Sequence, residues 1–205
     1  MKNLMDARRS KRFLSFLLVL GLTLFPPGPA RPEMKEGPPQ EILYSFLDHL
    51  SEARAVRQSM GQPGFDGEWL GNRFRFIGLP DSADITVNDQ IVVGEKTRPA
   101  IQFNALAKLE STLTFPKVAP GKRLHVFYGL ADSAFEKDQA VAPVQFEIWL
   151  GKKRLLETRV SSKGWNERAI DLTIPRLLHR NFRYVFSVRM AGERTQKFVV
   201  YGYLE

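Results

Sequence analysis

The stretch 144–150 reads Val-Gln-Phe-Glu-Ile-Trp-Leu and places an apolar side chain at every second position. Alternation with a period of two is typical of a β-strand with one buried face and one solvated face. Phe146 belongs to the predicted buried face, whereas Gln145, Glu147 and Trp149 belong to the opposite face. A glycine-containing turn follows at once, so this stretch predicts one strand of an antiparallel sheet.

The same period of two continues along the chain after residue 71, where turn-forming Gly, Pro, Asn and Asp separate the runs. The predicted strands cover residues 73–76, 85–93, 100–103, 111–115, 123–128, 144–150, 154–160, 168–174, 182–190 and 198–204. Because these short strands have no helices between them, they predict an all-β fold, an antiparallel β-sandwich over residues 71–205.

The first 30 residues have the pattern of an export signal. Residues 1–12 hold five cationic side chains and one acidic side chain, and an apolar run follows at 13–25. As a helix that run would span about 20 Å, which is shorter than the ~30 Å hydrocarbon core of a bilayer. We therefore expect residues 1–30 to be a signal peptide or a short membrane anchor, followed by a linker at 31–39. The protein is then periplasmic, secreted or anchored to the membrane through this segment alone.

Between the linker and the strands, apolar residues recur with helical spacing from Ile42 to Val56. Glu52, Arg54 and Arg57 fall off that apolar stripe. The pattern predicts one amphipathic helix over residues 40–60, packed on the sandwich. A helix that lies on a membrane surface or binds a partner is the alternative.

Composition excludes several classes of protein. The chain has 205 residues, a net charge of +8 and no cysteine. The absence of cysteine excludes a disulfide scaffold, a thiolate metal site, an iron–sulfur cluster and a cysteine nucleophile. Half of the net positive charge lies in the first 30 residues, where it orients an export segment. We therefore expect no nucleic-acid partner.

Catalytic signatures are missing from the sequence. It contains no GxSxG elbow, phosphate-binding loop, GxGxxG or HExxH motif. The three histidines His49, His125 and His179 are far apart in sequence, and we expect no metal, no cofactor and no enzymatic activity. Asp132 and Asp138 flank a short loop, where they either cap turns or supply oxygen ligands to a hard cation.

The second half of the chain carries a series of short landmarks, namely strands, hairpin turns and a loop tryptophan, at 112–115, 121–124, 128–132, 144–150, 163–165 and 169–172. Their order from about residue 98 to the end resembles the galactose-binding-like jelly rolls, in particular the carbohydrate-binding modules appended to bacterial glycosidases. The resemblance implies a non-catalytic module whose ligand lies on loops at one end or on a concave sheet face. Many members bind sugars, and others bind proteins or lipids, so the fold alone does not fix the ligand.

Trp149 is the first candidate for ligand binding. It shares a strand face with Gln145 and Glu147, and an indole beside amide and carboxylate groups has the composition of a sugar-binding platform. Tyr201 and Tyr203 on the last predicted strand are candidates for the same role. The alternative is that the predicted helix covers Trp149.

A basic segment provides the second candidate. Residues 152–197 hold twelve cationic and four anionic side chains. Arg183, Arg189 and Lys197 lie on two strands that flank a short Ala-Gly turn, so we expect the strands to be antiparallel neighbours that gather three cations on one face. Such a face would bind an anionic envelope polymer. The alternative is that these charges deter edge-to-edge aggregation.

Together these features predict an exported, non-catalytic β-sandwich module that binds carbohydrate or another component of the cell envelope. Two alternatives remain open. One is a structural or protein-interaction module of the envelope, and the other is a glycan-active enzyme whose carboxylate pair is formed only in the folded protein.

Overall fold

The computed structural model describes residues 41–59, 62–118, 121–135, 141–172, 184–192 and 195–205, with the backbone alone for 184–188. The predicted export segment and linker lie outside the described residues. So do Asp138, His179 and Arg183. Within the described ranges no helix has the length and apolar character needed to cross a membrane.

The described residues form thirteen β-strands, and every pairing between these strands is antiparallel. The strands are Tyr44–Ser45 (β1), Arg54–Ser59 (β2), Phe65–Trp69 (β3), Arg73–Phe76 (β4), Ile85–Val93 (β5), Lys96–Ala105 (β6), Leu109–Val118 (β7), Arg123–Leu130 (β8), Val144–Leu150 (β9), Lys153–Val160 (β10), Asn166–Asp171 (β11), Tyr184–Gly192 (β12) and Gln196–Leu204 (β13). Short 3₁₀ turns occur at Leu50–Glu52, Asp81–Ala83 and Asp132–Ala134.

The strands follow one hydrogen-bonded path in the order β10-β9-β12-β7-β2-β3-β4-β5-β6-β13-β8-β11, and β1 pairs with β13. We call β10, β9, β12, β7 and β2 the first leaf, and β6, β13, β8 and β11 the second leaf. The ring of Phe146 on β9 lies 4.9 Å from that of Tyr128 on β8 and 5.0 Å from that of Phe198 on β13. The two leaves therefore pack face to face, and the predicted antiparallel β-sandwich is confirmed.

The core lies between the two leaves. Phe146 is fully buried there, as its position in the alternating stretch predicts. A smaller cluster lies on the outer side of the second leaf, where Val199 alternates with the core residues Phe198 and Val200. Trp165 packs on this smaller cluster and donates its indole N–H to the carbonyl of Lys96 at 3.2 Å.

Three glycines allow the loop before β11 to lie directly against the second leaf. Gly164 has a φ of +108°, which favours glycine. A Cβ placed on Gly129 would lie 2.8 Å from the carbonyl oxygen of Gly164, and one on Gly94 would lie 2.9 Å from its Cα. The close approach of these backbones leaves no room for a side chain at either position.

The amphipathic helix predicted over residues 40–60 is wrong. That segment forms β1, a 3₁₀ turn and β2. β2 hydrogen-bonds to β7 on one side and to β3 on the other, and its alternate residues Ala55 and Arg57 are fully buried. The spacing of apolar residues in β2 is compatible with a strand as well as with a helix. Hydrogen bonding to a neighbouring strand on each side favours the strand. The compact unit runs from Pro39 to Glu205, so the sandwich begins well before residue 71.

Candidate functional site

The outer face of the first leaf carries the candidate residues Gln145, Glu147 and Trp149. They alternate along β9 with buried Val144, Phe146 and Ile148, so the pleat of the strand directs all three away from the core. Each is partly exposed. The structure therefore brings these three predicted residues together in one row.

Trp149 stands in a charged environment formed by its neighbouring strands. Its indole N–H donates a hydrogen bond to a carboxylate oxygen of Glu147 at 2.7 Å. The guanidinium carbons of Arg189 on β12 and Arg154 on β10 lie 4.8 Å and 5.7 Å from the centre of its ring. The indole thus makes cation–π contacts with both adjacent strands, which hold it in place and leave part of it accessible.

Gln145 is oriented by groups on β10. Its amide nitrogen donates to a carboxylate oxygen of Glu157 at 3.0 Å, and its amide oxygen accepts from Nε of Arg159 at 3.2 Å. Arg154 forms ion pairs with Glu157 at 2.8 Å and with Glu147 at 3.6 Å. This network pairs the polar groups of β9 and β10 with one another and fixes their orientation.

A groove of about 380 Å³ adjoins this row at one end of the first leaf. Its lining is formed by Gln58, Ser59, Lys108, Leu109, Glu110, Ala191 and Gly192. Ala191 pairs with Gln145 on one side and with Glu110 on the other, so the groove begins where the polar row ends. Small residues on β12 leave space beside the longer side chains of β2 and β7.

Arg57 precedes the lining residue Gln58 on β2 and is the residue that sequence reasoning missed. It is fully buried, and its Nη1 donates to the carbonyl of Asn104 at 2.9 Å. Burial lowers the pKa of Arg57 to about 10, and the negative charge of Asp84 opposes that shift. Because Arg57 falls off the supposed helical stripe, only the strand periodicity of β2 would have shown that it points inward.

The prediction that the strands carrying Arg189 and Lys197 are antiparallel neighbours is wrong, and Arg183 lies outside the described residues. β12, which carries Arg189, pairs with β7 and β9 in the first leaf, whereas β13, which carries Lys197, pairs with β6 and β8 in the second. The chain crosses between leaves after Gly192 instead of forming a hairpin. A turn-forming dipeptide marks a change of direction and does not tell whether the next strand joins the same sheet.

Tyr201 and Tyr203 lie on the outer side of the second leaf, away from Trp149. The ring of Phe127 lies 5.9 Å and 6.5 Å from those of Tyr201 and Tyr203, with interplanar angles of 28° and 27°. The guanidinium of Arg98 lies 4.2 Å from the centre of the Phe127 ring. These rings face one another, so they contribute mainly to the packing of the second leaf.

Within the described residues, no group of three His, Cys, Asp or Glu side chains is arranged to hold a metal ion. Asp132 accepts the backbone N–H of Gly94 at 2.8 Å and pairs with Lys163 at 3.4 Å. It therefore fixes the turn between β5 and β6 against the loop before β11.

Comparisons with known proteins give a likeness of fold. No family model and no curated protein matches the chain. Among solved structures, CBM51 from Clostridium perfringens GH95 in complex with methyl-galactose has a TM-score of 0.39 and 9% identity, covering 56% of this chain and 79% of its own.

Two further solved structures are of the same kind. A CBM61 module in complex with β-1,4-galactotriose has a TM-score of 0.38 and 12% identity, covering 61% of this chain and 84% of its own. A carbohydrate-binding module of the β-sandwich superfamily has a TM-score of 0.42 and 12% identity, covering 81% and 62%. All three of these similar structures are carbohydrate-binding modules.

Proposed function

We propose that this protein is an exported, non-catalytic module that binds carbohydrate on the outer face of its first leaf. The observation that carries the proposal is the groove of about 380 Å³ that continues the row of Gln145, Glu147 and Trp149. Its volume falls within the range of about 300–1,000 Å³ that is usual for small-ligand sites.

The chemistry of the groove fits a polyhydroxylated ligand. Gln58 and Glu110 are exposed on neighbouring strands at one side, and Gln145 is held by its own network at the other. A carboxylate accepts hydrogen bonds from hydroxyls and an amide both donates and accepts them, while the accessible part of Trp149 offers an apolar surface at the far end of the row. Glu147 and Glu157 both pair with Arg154, which supports the part of the proposal that gives these carboxylates a positioning role.

Export is supported by the basic and apolar pattern of residues 1–30. A fusion of these residues to a reporter should direct the reporter out of the cytoplasm. Retention of the fusion in the cytoplasm would contradict export and leave the binding proposal intact.

Retention of the full chain on a panel of immobilised polysaccharides tests the binding site. Ala191→Leu places a larger side chain in the groove, and we expect it to lower retention at least tenfold. Ala169→Leu is the matched control, because Ala169 is exposed on the outer side of the second leaf and points to solvent. Failure of the wild-type chain to bind any glycan would refute the function, and equal losses in the two variants would refute the site.

A further inference from the structure

Seven buried side-chain polar atoms of the described residues have no hydrogen-bond partner, among them Oδ2 of Asp84, and four of the seven belong to only three residues. These four are Nε and Nη2 of Arg57, the hydroxyl oxygen of Ser111 and the amide oxygen of Gln196. Each of these residues is at least nine-tenths buried. Arg57 and Ser111 are cross-strand partners, and Gln196 pairs with Ala105, the residue after the Asn104 whose carbonyl accepts from Arg57.

The strand register places this cluster next to the groove lining. Ser59 on β2 pairs with Leu109 on β7, and both line the groove. The next pair on the same face of these strands is Arg57 with Ser111. A strand rises about 3.3 Å per residue. The pair Arg57–Ser111 therefore lies about 7 Å further along the strands than the pair Ser59–Leu109, which lines the groove.

The guanidinium carbon of Arg57 lies 5.3 Å from the centre of the Phe76 ring, so a cation–π contact covers one face of the group. That contact does not satisfy the N–H donors in the plane of the guanidinium, and a buried charged group with two free donors is costly. Asp84 attracts Arg57, yet within the described residues no carboxylate lies within 4.0 Å of its guanidinium. The ion pair of Asp84 is formed instead with Arg73, at 3.5 Å. Arg57 is still a cation at neutral pH, because its pKa is lowered only to about 10.

We propose that Arg57 binds the carboxylate of an acidic sugar that enters from the groove, an inference that rests on the proposed function. Nε and Nη2 of a guanidinium form the two parallel donors of a bidentate pair with a carboxylate. Ser111 supplies a third donor, and Gln196 accepts from a hydroxyl of the same sugar. The carboxylate reaches these atoms when the side chains of Ser59 and Leu109 shift, since Arg57 has no exposed surface.

Titration of the full chain with sodium glucuronate and sodium galacturonate tests the inference. The readouts are calorimetry and the NMR signal of the Arg57 Nε–H, and the controls are methyl glucoside, methyl galactoside and sodium acetate. We expect saturable binding of a uronate that shifts the Arg57 signal, with at least tenfold weaker binding of the neutral sugars. Equal affinity for neutral and acidic sugars would overturn the inference and leave carbohydrate binding intact. An equal response to acetate would show a site for free carboxylates, and would overturn it as well.

Substitutions separate Arg57 from general electrostatic attraction. Charge-assisted hydrogen bonds are worth about 1.5–3 kcal/mol, so Arg57→Gln should weaken uronate binding roughly 10-fold to 150-fold. Arg54→Gln is the matched control, because Arg54 lies on the same strand, is exposed and pairs with Asp66 at 2.8 Å. It should change the affinity less than twofold.

Arg57→Met removes the charge while it keeps apolar volume in the core, and it is the second variant if Arg57→Gln fails to fold. Uronate binding that survives either Arg57 variant would refute the assignment. If both variants fail to fold, the Nε–H signal of the wild-type chain decides. Binding of uronate through Arg57 by a chain that is retained on no polysaccharide would support this site and contradict the function proposed for the groove as a whole.

Discussion

Replacing Phe146 with alanine tests the strand register on which the candidate site depends. The side chain is fully buried between the leaves, and its ring contacts those of Tyr128 and Phe198. Truncating a buried phenylalanine costs about 3–5 kcal/mol, because the lost transfer free energy is added to the cost of a cavity. For a domain of this size each kcal/mol lowers the melting temperature by about 2–4 °C, so Phe146→Ala should lower it by roughly 6–20 °C.

The adjacent residue Glu147 provides the control. Its side chain is 17% exposed and forms a hydrogen bond with Trp149 and an ion pair with Arg154. Water can replace part of these contacts, so Glu147→Ala should cost about 1–2 kcal/mol. Thermal and urea denaturation followed by circular dichroism measure both values. A loss at Glu147 equal to or larger than that at Phe146 would refute the register and, with it, the outward row on β9.

Three further predictions concern other parts of the molecule. Gly129→Ala should destabilise the protein by about 1–3 kcal/mol in urea denaturation, because the new Cβ would lie 2.8 Å from the carbonyl oxygen of Gly164. Burial raises the pKa of Tyr44 to about 12, so the contribution of this neutral phenol to stability is complete below pH 10 and is lost as the pH rises to about 12; Tyr44→Phe should flatten that part of the stability–pH profile, and an unchanged profile would contradict it. Arg189→Gln and Lys197→Gln should have additive effects on retention by an anionic polysaccharide, within about 0.5 kcal/mol, because the two residues lie on opposite leaves; strong coupling between them would show that they share a site.

The sequence predicts the sandwich because most of its strands have their own local pattern of alternating apolar residues. Val144–Leu150 has the same bounds in the structure as in the predicted pattern, since it alternates cleanly and is followed by a turn. Ile85–Val93 also has the predicted bounds, although a bulge between Asn88 and Ile91 interrupts its alternation. β2 and β3 were missed for the opposite reason. β2 combines buried Ala55 and Arg57 in place of large apolar residues, and β3 has no buried residue at all. A strand in the middle of a sheet is identified by its partners, which a local pattern does not contain.

The candidate site is less predictable than the fold, because most of it depends on which strands pair with one another. Gln145, Glu147 and Trp149 share a face because they share a strand, and a period of two is enough to show that. The groove depends on Gln58, Glu110 and Ala191, which are brought together by pairing across three strands. No pattern within one strand records that register.

The distribution of charge decides which kind of recognition this domain can perform. Residues 152–197 hold an excess of cations, yet the topology divides them, because Arg154, Arg159 and Arg189 lie on the first leaf while Arg168 and Lys197 lie on the second. On the first leaf, Glu147 and Glu157 both form ion pairs with the side chain of Arg154. The attraction of an exposed charge is screened within about 8–10 Å at ordinary ionic strength, so cations on opposite leaves do not reinforce each other. The proposed selectivity for an acidic sugar therefore rests on a buried cation, where screening is weak, and Arg57 is the cation in the described part of the chain that is fully buried.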